Sequence, residues 1–146
     1  MLFHWLTDYG KAKRRATGVV DSIFADAHRA SPAVFEADSR LEPNQQAKFE
    51  HMCPWAALHL MQADGAKARD TMEALLDRIE VGLREGGVGD MAVGKRMRTY
   101  SAALHGRVRR YASLIERSEW DALVTALAEH GVPATVVADL RTKAAA

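Results

Sequence analysis

"GVGDMAVGKRMRTY", residues 87–100, decides how the chain is read. From Gly89 to Lys95 its spacing is G-x-x-x-x-G-K, most of a phosphate-binding loop. Such a loop needs a buried strand leading in, backbone N–H groups curled around the phosphates, and a Ser or Thr after the lysine to hold magnesium. Here Arg96 follows the lysine, and Asp90 would sit among the phosphates and repel them. The lead-in places Met72, Leu75, Leu76, Ile79 and Leu83 three or four residues apart, the period of an amphipathic helix. A helix enters where a strand is required. The stretch therefore reads as a glycine-rich turn between two helices. Gly86 or Gly87 takes the left-handed cap of the first, and Asp90 the N-cap of the second.

The helical period extends outward in both directions. Leu6, Tyr9, Ala12, Ala16, Val19 or Val20, Ile23 and Ala27 predict a first helix over about 3–29. "RASPAVFEADSRLEPNQQ" breaks the period and reads as a loop holding at most a short turn, with Pro43 suited to the first turn of the next helix. That second helix, 44–63, puts Phe49, Met52, Trp55 or Ala56, His59 and Leu60 on one face, widened by Leu58 and Met61, which places it centrally in the core, and Pro54 is expected to kink it. Asp64-Gly65 marks a turn before a third helix over about 66–85. The fourth runs from the glycine-rich turn to about 116 with Met97, Tyr100, Leu104, Val108, Tyr111 and Ile115 inward. Ser118 is expected to cap a fifth, stopped at Gly131, and Pro133 starts a short last one that frays in "TKAAA". No strand pattern, repeat or low-complexity segment appears. The expected fold is all-α, a single-domain bundle of about five to six helices over residues 1–146.

Composition agrees with a globular chain of one core. Of 146 residues 48% are hydrophobic and 27% charged, with a formal net charge of +1, so charge alone does not mark a polyanion binder. Cys53 is the single cysteine, which rules out an internal disulfide and suits a reducing compartment. No apolar run approaches the roughly 18 residues of a membrane span. At the N-terminus the apolar residues precede the charges, the reverse of a secretory signal.

A turn explains Gly87, Gly89 and Asp90 but not Gly94 and Gly106, which lie inside the fourth helix and each cost about 0.5–1 kcal/mol against Ala. A glycine there permits close approach by a helix or ligand. "LREGGVGDMAVGKRMRTYSAALHGRVRRYASLIE", residues 83–116, resembles the ubiquinol–cytochrome c chaperone family, whose hallmark runs REmGVGDLsVgKrvkkm…f.GR…Y. Arg84, Glu85, Gly87, Val88, Gly89, Asp90, Val93, Lys95, Arg96, Met97, Gly106, Arg107 and Tyr111 match it. Upstream, "KFEHMCPWAALHLM" is similar to the family's "RF-E…LH" helix at Phe49, Glu50 and His59, and the resemblance spans about 10–130. Two features depart from it. "SRLEPNQQAKF" stands where the family often has GVPDT…GRF, and Cys-Pro-Trp interrupts the second helix.

The resemblance implies a non-enzymatic assembly factor that binds newly made cytochrome b before it joins ubiquinol–cytochrome c reductase. It implies a small partner protein and a place near the ribosome exit in mitochondrial members. The expected location is the bacterial cytoplasm, peripheral to the inner membrane, or the mitochondrial matrix in a eukaryote. No DNA partner and no cofactor is expected. Gly89 and Asp90 would shape the turn, and Lys95, Arg96, Arg107 and Tyr111 would form or support a partner-binding surface.

The residues themselves add three expectations. Between 91 and 117 seven basic residues (Lys95, Arg96, Arg98, Arg107, Arg109, Arg110 and Arg117) face one acid, Glu116, and "KAKRR", 11–15, forms a second cluster. Such patches attract RNA, anionic lipid or an acidic partner, so a basic helical RNA- or ribosome-binding module is the alternative. The bland reading pairs these bases with Asp70, Glu73, Asp77 and Glu80 of the third helix. Met52, Met61, Met72, Met91 and Met97 are either adaptable client contacts or core filler. Phe3 and Trp5 either touch a membrane surface or dock on the bundle. His51 and His59 are too far apart along one helix to share a metal, and Cys53 suits a buried apolar role better than a nucleophilic one. No metal site is expected.

Overall fold

The computed structural model describes residues 2–146, with side chains from Thr7 onward. Phe3 and Trp5 lie outside the described side chains. Seven helices form, and no strand is present among the described residues: α1 Leu2–Ala30, α2 Pro32–Glu36, α3 Glu42–Gln62, α4 Gly65–Glu85, α5 Asp90–Glu116, α6 Trp120–Ala128 and α7 Ala134–Ala145. The expected count of five to six is too low by α2. Five residues are too few to show a helical period, but Pro32 at its first turn fixes the backbone for one. The last helix is also longer than expected and stays helical into the terminal alanines.

α1, α3, α4 and α5 make a bundle in which α1 and α5 each pack along both α3 and α4, at opposite corners. α6 packs on α5, and α7 on α6. The core sits on α3. Between His51 and Leu60 no residue of α3 is exposed, and Met52, Cys53, Ala56 and Ala57 are almost wholly buried. Pro54, also buried, does not end the helix. Its neighbours on all sides hold the turn that its missing N–H weakens. Ile23 and Ala27 of α1, Leu75 of α4, and Leu104 and Tyr111 of α5 close around it. The Phe49 and Tyr100 rings stack with centroids 4.1 Å apart, a pairing of about 0.5–1.5 kcal/mol beyond burial.

Three helix ends share one device. An N–H three or four residues past the helix reaches back across the last turn: Val88 to the Leu83 carbonyl (3.0 Å), Glu119 to Leu114 (2.8 Å) and Val132 to Leu127 (3.2 Å). The residue before each donor has positive φ: Gly87 at 88°, Ser118 at 56° and Gly131 at 80°. Ser118 is therefore not the N-cap expected of it. Glu119 holds that position, and Ser118 closes α5. An L-residue in the left-handed region is strained, about 1–2 kcal/mol relative to the right-handed one. Ser118→Gly is expected to raise stability by about 0.5–1 kcal/mol, read as a higher urea midpoint with an unchanged slope.

Candidate functional site

The α4–α5 turn is built from its backbone outward. Gly87 ends α4 in the left-handed conformation, and Val88 then folds back against the core. Gly89, extended at φ −72° and ψ 158°, is the N-cap of α5. Asp90 is thus one residue further in than expected: it is the first helical residue and makes no cap hydrogen bond. Its carboxylate pairs instead with Arg84, which also reaches Glu80 at 3.3 Å. Asp90 is 88% exposed, so solvent screens the pair heavily and it adds little to stability. A negative charge in the first turn of α5 also favours the helix dipole.

Beneath the turn lies a buried amide that sequence reasoning missed. Gln45, in the first turns of α3, donates from Nε2 to the Ser39 carbonyl (2.5 Å) and to the Gly86 carbonyl (3.5 Å). Its Oε1 accepts from Arg96 (2.5 Å), whose other nitrogen meets Glu42 at 2.7 Å. One side chain therefore ties the α2–α3 loop, the α4–α5 turn and α5 together. Gly86 makes room for it. A Cβ there would collide with Gln45 Nε2 and stand 2.7 Å from the Ser39 carbonyl oxygen. Gly89 has no such neighbour. The same loop is held by Lys48, which donates to the Ala37 carbonyl (2.7 Å) and to Ser39 Oγ. Arg40 clasps Asp38, whose carboxyl falls to about 2 through those hydrogen bonds. This compact loop leads into α3, whose first turns, from Glu42, form the rest of the segment SRLEPNQQAKF.

The expected site residues fall into two kinds. Lys95 is exposed and lines a hollow of about 390 Å³ between α3 and α5, with Glu42, Gln46, Ala92, Arg96, Thr99 and Tyr100. Arg96 is only 23% exposed and is engaged with Glu42 and Gln45. Tyr111 is fully buried and reaches outward only through Arg107, which donates to its hydroxyl at 3.1 Å. Gly94 and Gly106 meet no other helix: a Cβ at Gly106 has nothing within 4 Å, and one at Gly94 only its own helix's Arg98. The expected close approach is not made inside this chain.

The outer face of α5 carries Met91, Lys95, Arg98, Ala102, His105 and Arg109 at helical spacing, all exposed, with Met91 at 93%. Lys95, Arg98, Arg109 and Arg110 make no ion pair among the described residues. The alternative pairing with α4 acids is not formed: Glu80 goes to Arg84, and Asp70, Glu73 and Asp77 to no base. Of the methionines, Met52 is core, while Met61, Met72 and Met97 are half-buried against it.

His51 and His59 turn to different partners, Ser31 Oγ at 2.9 Å and Asp26 at 3.9 Å. Burial pushes the Cys53 thiol up to about 11, which suits its apolar role. His130 sits edge-on to His51 with centroids 5.8 Å apart. Burial, then Arg107 and His51, hold its imidazole below the usual range, against weaker pulls from Glu129 and Glu50.

Two outcomes follow. Gly86→Ala should destabilise by about 1–3 kcal/mol through overpacking, while Gly89→Ala, which meets no neighbour, costs at most about 1 kcal/mol through the weaker N-cap. Paired urea titrations separate them. Because His130 binds its proton less readily folded than unfolded, stability is full above about pH 6.5 and declines as the pH drops below it. His130→Gln should flatten that decline below about pH 6.5.

The family model described as ubiquinol-cytochrome C chaperone matches residues 41–145, which takes in α3 to α7 and leaves α1 and α2 outside. No curated protein and no solved structure matches. No helix among the described residues is long and apolar enough to cross a membrane. With well over half its length matched, and with the turn and basic helix that carry the motif in place, the chain belongs to the ubiquinol–cytochrome c chaperone family.

Proposed function

We propose that this chain is a non-enzymatic assembly chaperone that binds newly made cytochrome b and delivers it to ubiquinol–cytochrome c reductase. It does so as one domain, in the bacterial cytoplasm and peripheral to the inner membrane. The observation that carries the reading is the outer face of α5. Within the family-matched region it presents three bases, Lys95, Arg98 and Arg109, that make no ion pair among the described residues, beside a methionine almost wholly in solvent. An unneutralised basic stripe is suited to an acidic or membrane-adjacent surface, and Met91 adapts to varied apolar shapes. In this reading Lys95 touches the partner. Gly89 and Asp90 set where α5 begins. Arg96, Arg107 and Tyr111 hold the helix in place from behind. Gly94 and Gly106 leave room for a partner's backbone rather than for a helix of this chain. A small partner protein or the ribosome would meet the same stripe.

The same bare charges favour one other reading, a basic helical module that binds RNA. Its sign is affinity that falls steeply with salt and needs no client.

The decisive experiment is a strain lacking this gene, assayed for haem-bearing cytochrome b and assembled reductase in its membranes. A specific loss is expected, restored by the wild-type chain. Lys95→Glu/Arg98→Glu/Arg109→Glu is expected to fold with wild-type stability, since these side chains are exposed and unpaired, yet not to restore. Arg96 is left intact because its removal would unseat Gln45. Unchanged cytochrome b in the deleted strain would overturn the chaperone role.

A further inference from the structure

A second surface lies at the opposite corner of the bundle from the basic stripe. Between α1 and α4 runs a groove of about 340 Å³. Its floor is apolar: Tyr9, Ala12, Ala16 and Val20 from α1, Ala74 and Val81 from α4. Tyr9 and Val81 remain 58% and 53% exposed, two of the few large apolar side chains the fold leaves in solvent. Both line this one groove, while the other two, Leu41 and Met91, lie elsewhere.

One wall of the groove is acidic. Asp70, Glu73 and Asp77 stand at i, i+3 and i+7 along α4 and line the same side over about two turns. None makes an ion pair among the described residues. The lining bases do not offset them. Arg78 is held by Asp21 and lies over the Phe24 ring at 5.3 Å, leaving Lys13 against three carboxylates. An apolar floor with an uncompensated acid edge fits a helix that carries apolar side chains on one face and Lys or Arg along its border.

We infer that the α1–α4 groove receives a basic-edged amphipathic helical segment of the client, the lysine- and arginine-rich flank of a transmembrane helix. This rests on the chaperone reading, in which the client is a membrane protein. The cytoplasmic flanks of such proteins carry an excess of Lys and Arg next to apolar spans. The two surfaces then divide the work: the groove holds a basic flank, and α5 on the far corner is left for an anionic partner.

The test uses the full chain and two synthetic amphipathic helices, one of Leu and Lys and one of Leu and Glu, followed by fluorescence anisotropy. The Leu/Lys helix is expected to bind and the Leu/Glu helix not to. Asp70→Asn/Glu73→Gln/Asp77→Asn is expected to weaken binding about tenfold, and to remove most of its salt dependence. Val81→Ser, at an exposed floor position, should weaken it without changing the salt dependence. The α5 triple reversal should leave it intact. Equal binding to the neutralised chain, or loss only with the α5 reversal, overturns the proposal. So does a dimer of this chain, seen by light scattering and dissolved by Val81→Ser, since a second copy would then be the occupant. In the deleted strain the two ideas separate. If deletion lowers cytochrome b and the neutralised chain restores it fully, the groove fails and the chaperone role stands. If deletion leaves cytochrome b unchanged, the chaperone role fails, and the groove's assignment to a client fails with it even where the Leu/Lys helix binds.

Discussion

Everything in this fold is arranged around a helix that gives little more than one edge to water. From His51 to Leu60 no residue of α3 is exposed, and only His51, Trp55 and His59, along one edge, are partly open. Each fully buried large side chain there favours folding by about 1.5–3 kcal/mol, against the entropy of ordering the chain around it. A helix buried on all but one edge cannot be served by a single neighbour. It requires α1 on one side, α5 on another and α4 opposite, which is why the chain needs four long helices before its core closes. A proline can sit in the middle of α3 for the same reason: packing, rather than local hydrogen bonding, keeps the helix straight enough to continue.

The cost of so apolar a centre appears at its end. Where α3 emerges, three backbone segments from distant parts of the sequence meet, and their polar groups need partners. Gln45 satisfies that need for the α2–α3 loop, the α4–α5 turn and Arg96 at once. The arrangement fixes how α5 is rolled about its axis. With Arg96, Tyr100, Leu104 and Tyr111 directed inward, Lys95, Arg98 and Arg109 have no choice but to point out. The basic stripe is in that sense a product of the interior.

Much of this was legible in the residues, because long helices print their period. Val20, Ile23 and Ala27, or Tyr100, Leu104 and Tyr111, announce an inward face without any structure. Turn chemistry was legible only in kind. A Gly-Val-Gly-Asp run signals a cap, yet Gly89 rather than Asp90 takes the N-cap, because Asp90 finds a better partner in Arg84, across the turn and six residues back. Ser118 looked like an N-cap for the same compositional reason and is in fact the left-handed end of the helix before it. Gln45 gave no signal. A lone glutamine near a helix start is ordinary, and its meaning depends on Gly86, 41 residues away. The groove was hidden for a related reason: the acids of α4 looked like partners for α5, and only the corner-to-corner placement of α1 and α5 shows that they face elsewhere.

Cys53 gives the molecule a property of its own. It is the single thiol, 1% exposed, at the middle of the helix that every other long helix touches. Its raised pKa leaves almost no thiolate at neutral pH. A thiol reagent therefore meets it only when the bundle comes apart, and the labelling rate measures how often that happens. The residue is a built-in clock for global opening. It separates motions of the proposed binding surfaces, which lie on the outside and leave the thiol untouched, from opening of the core itself.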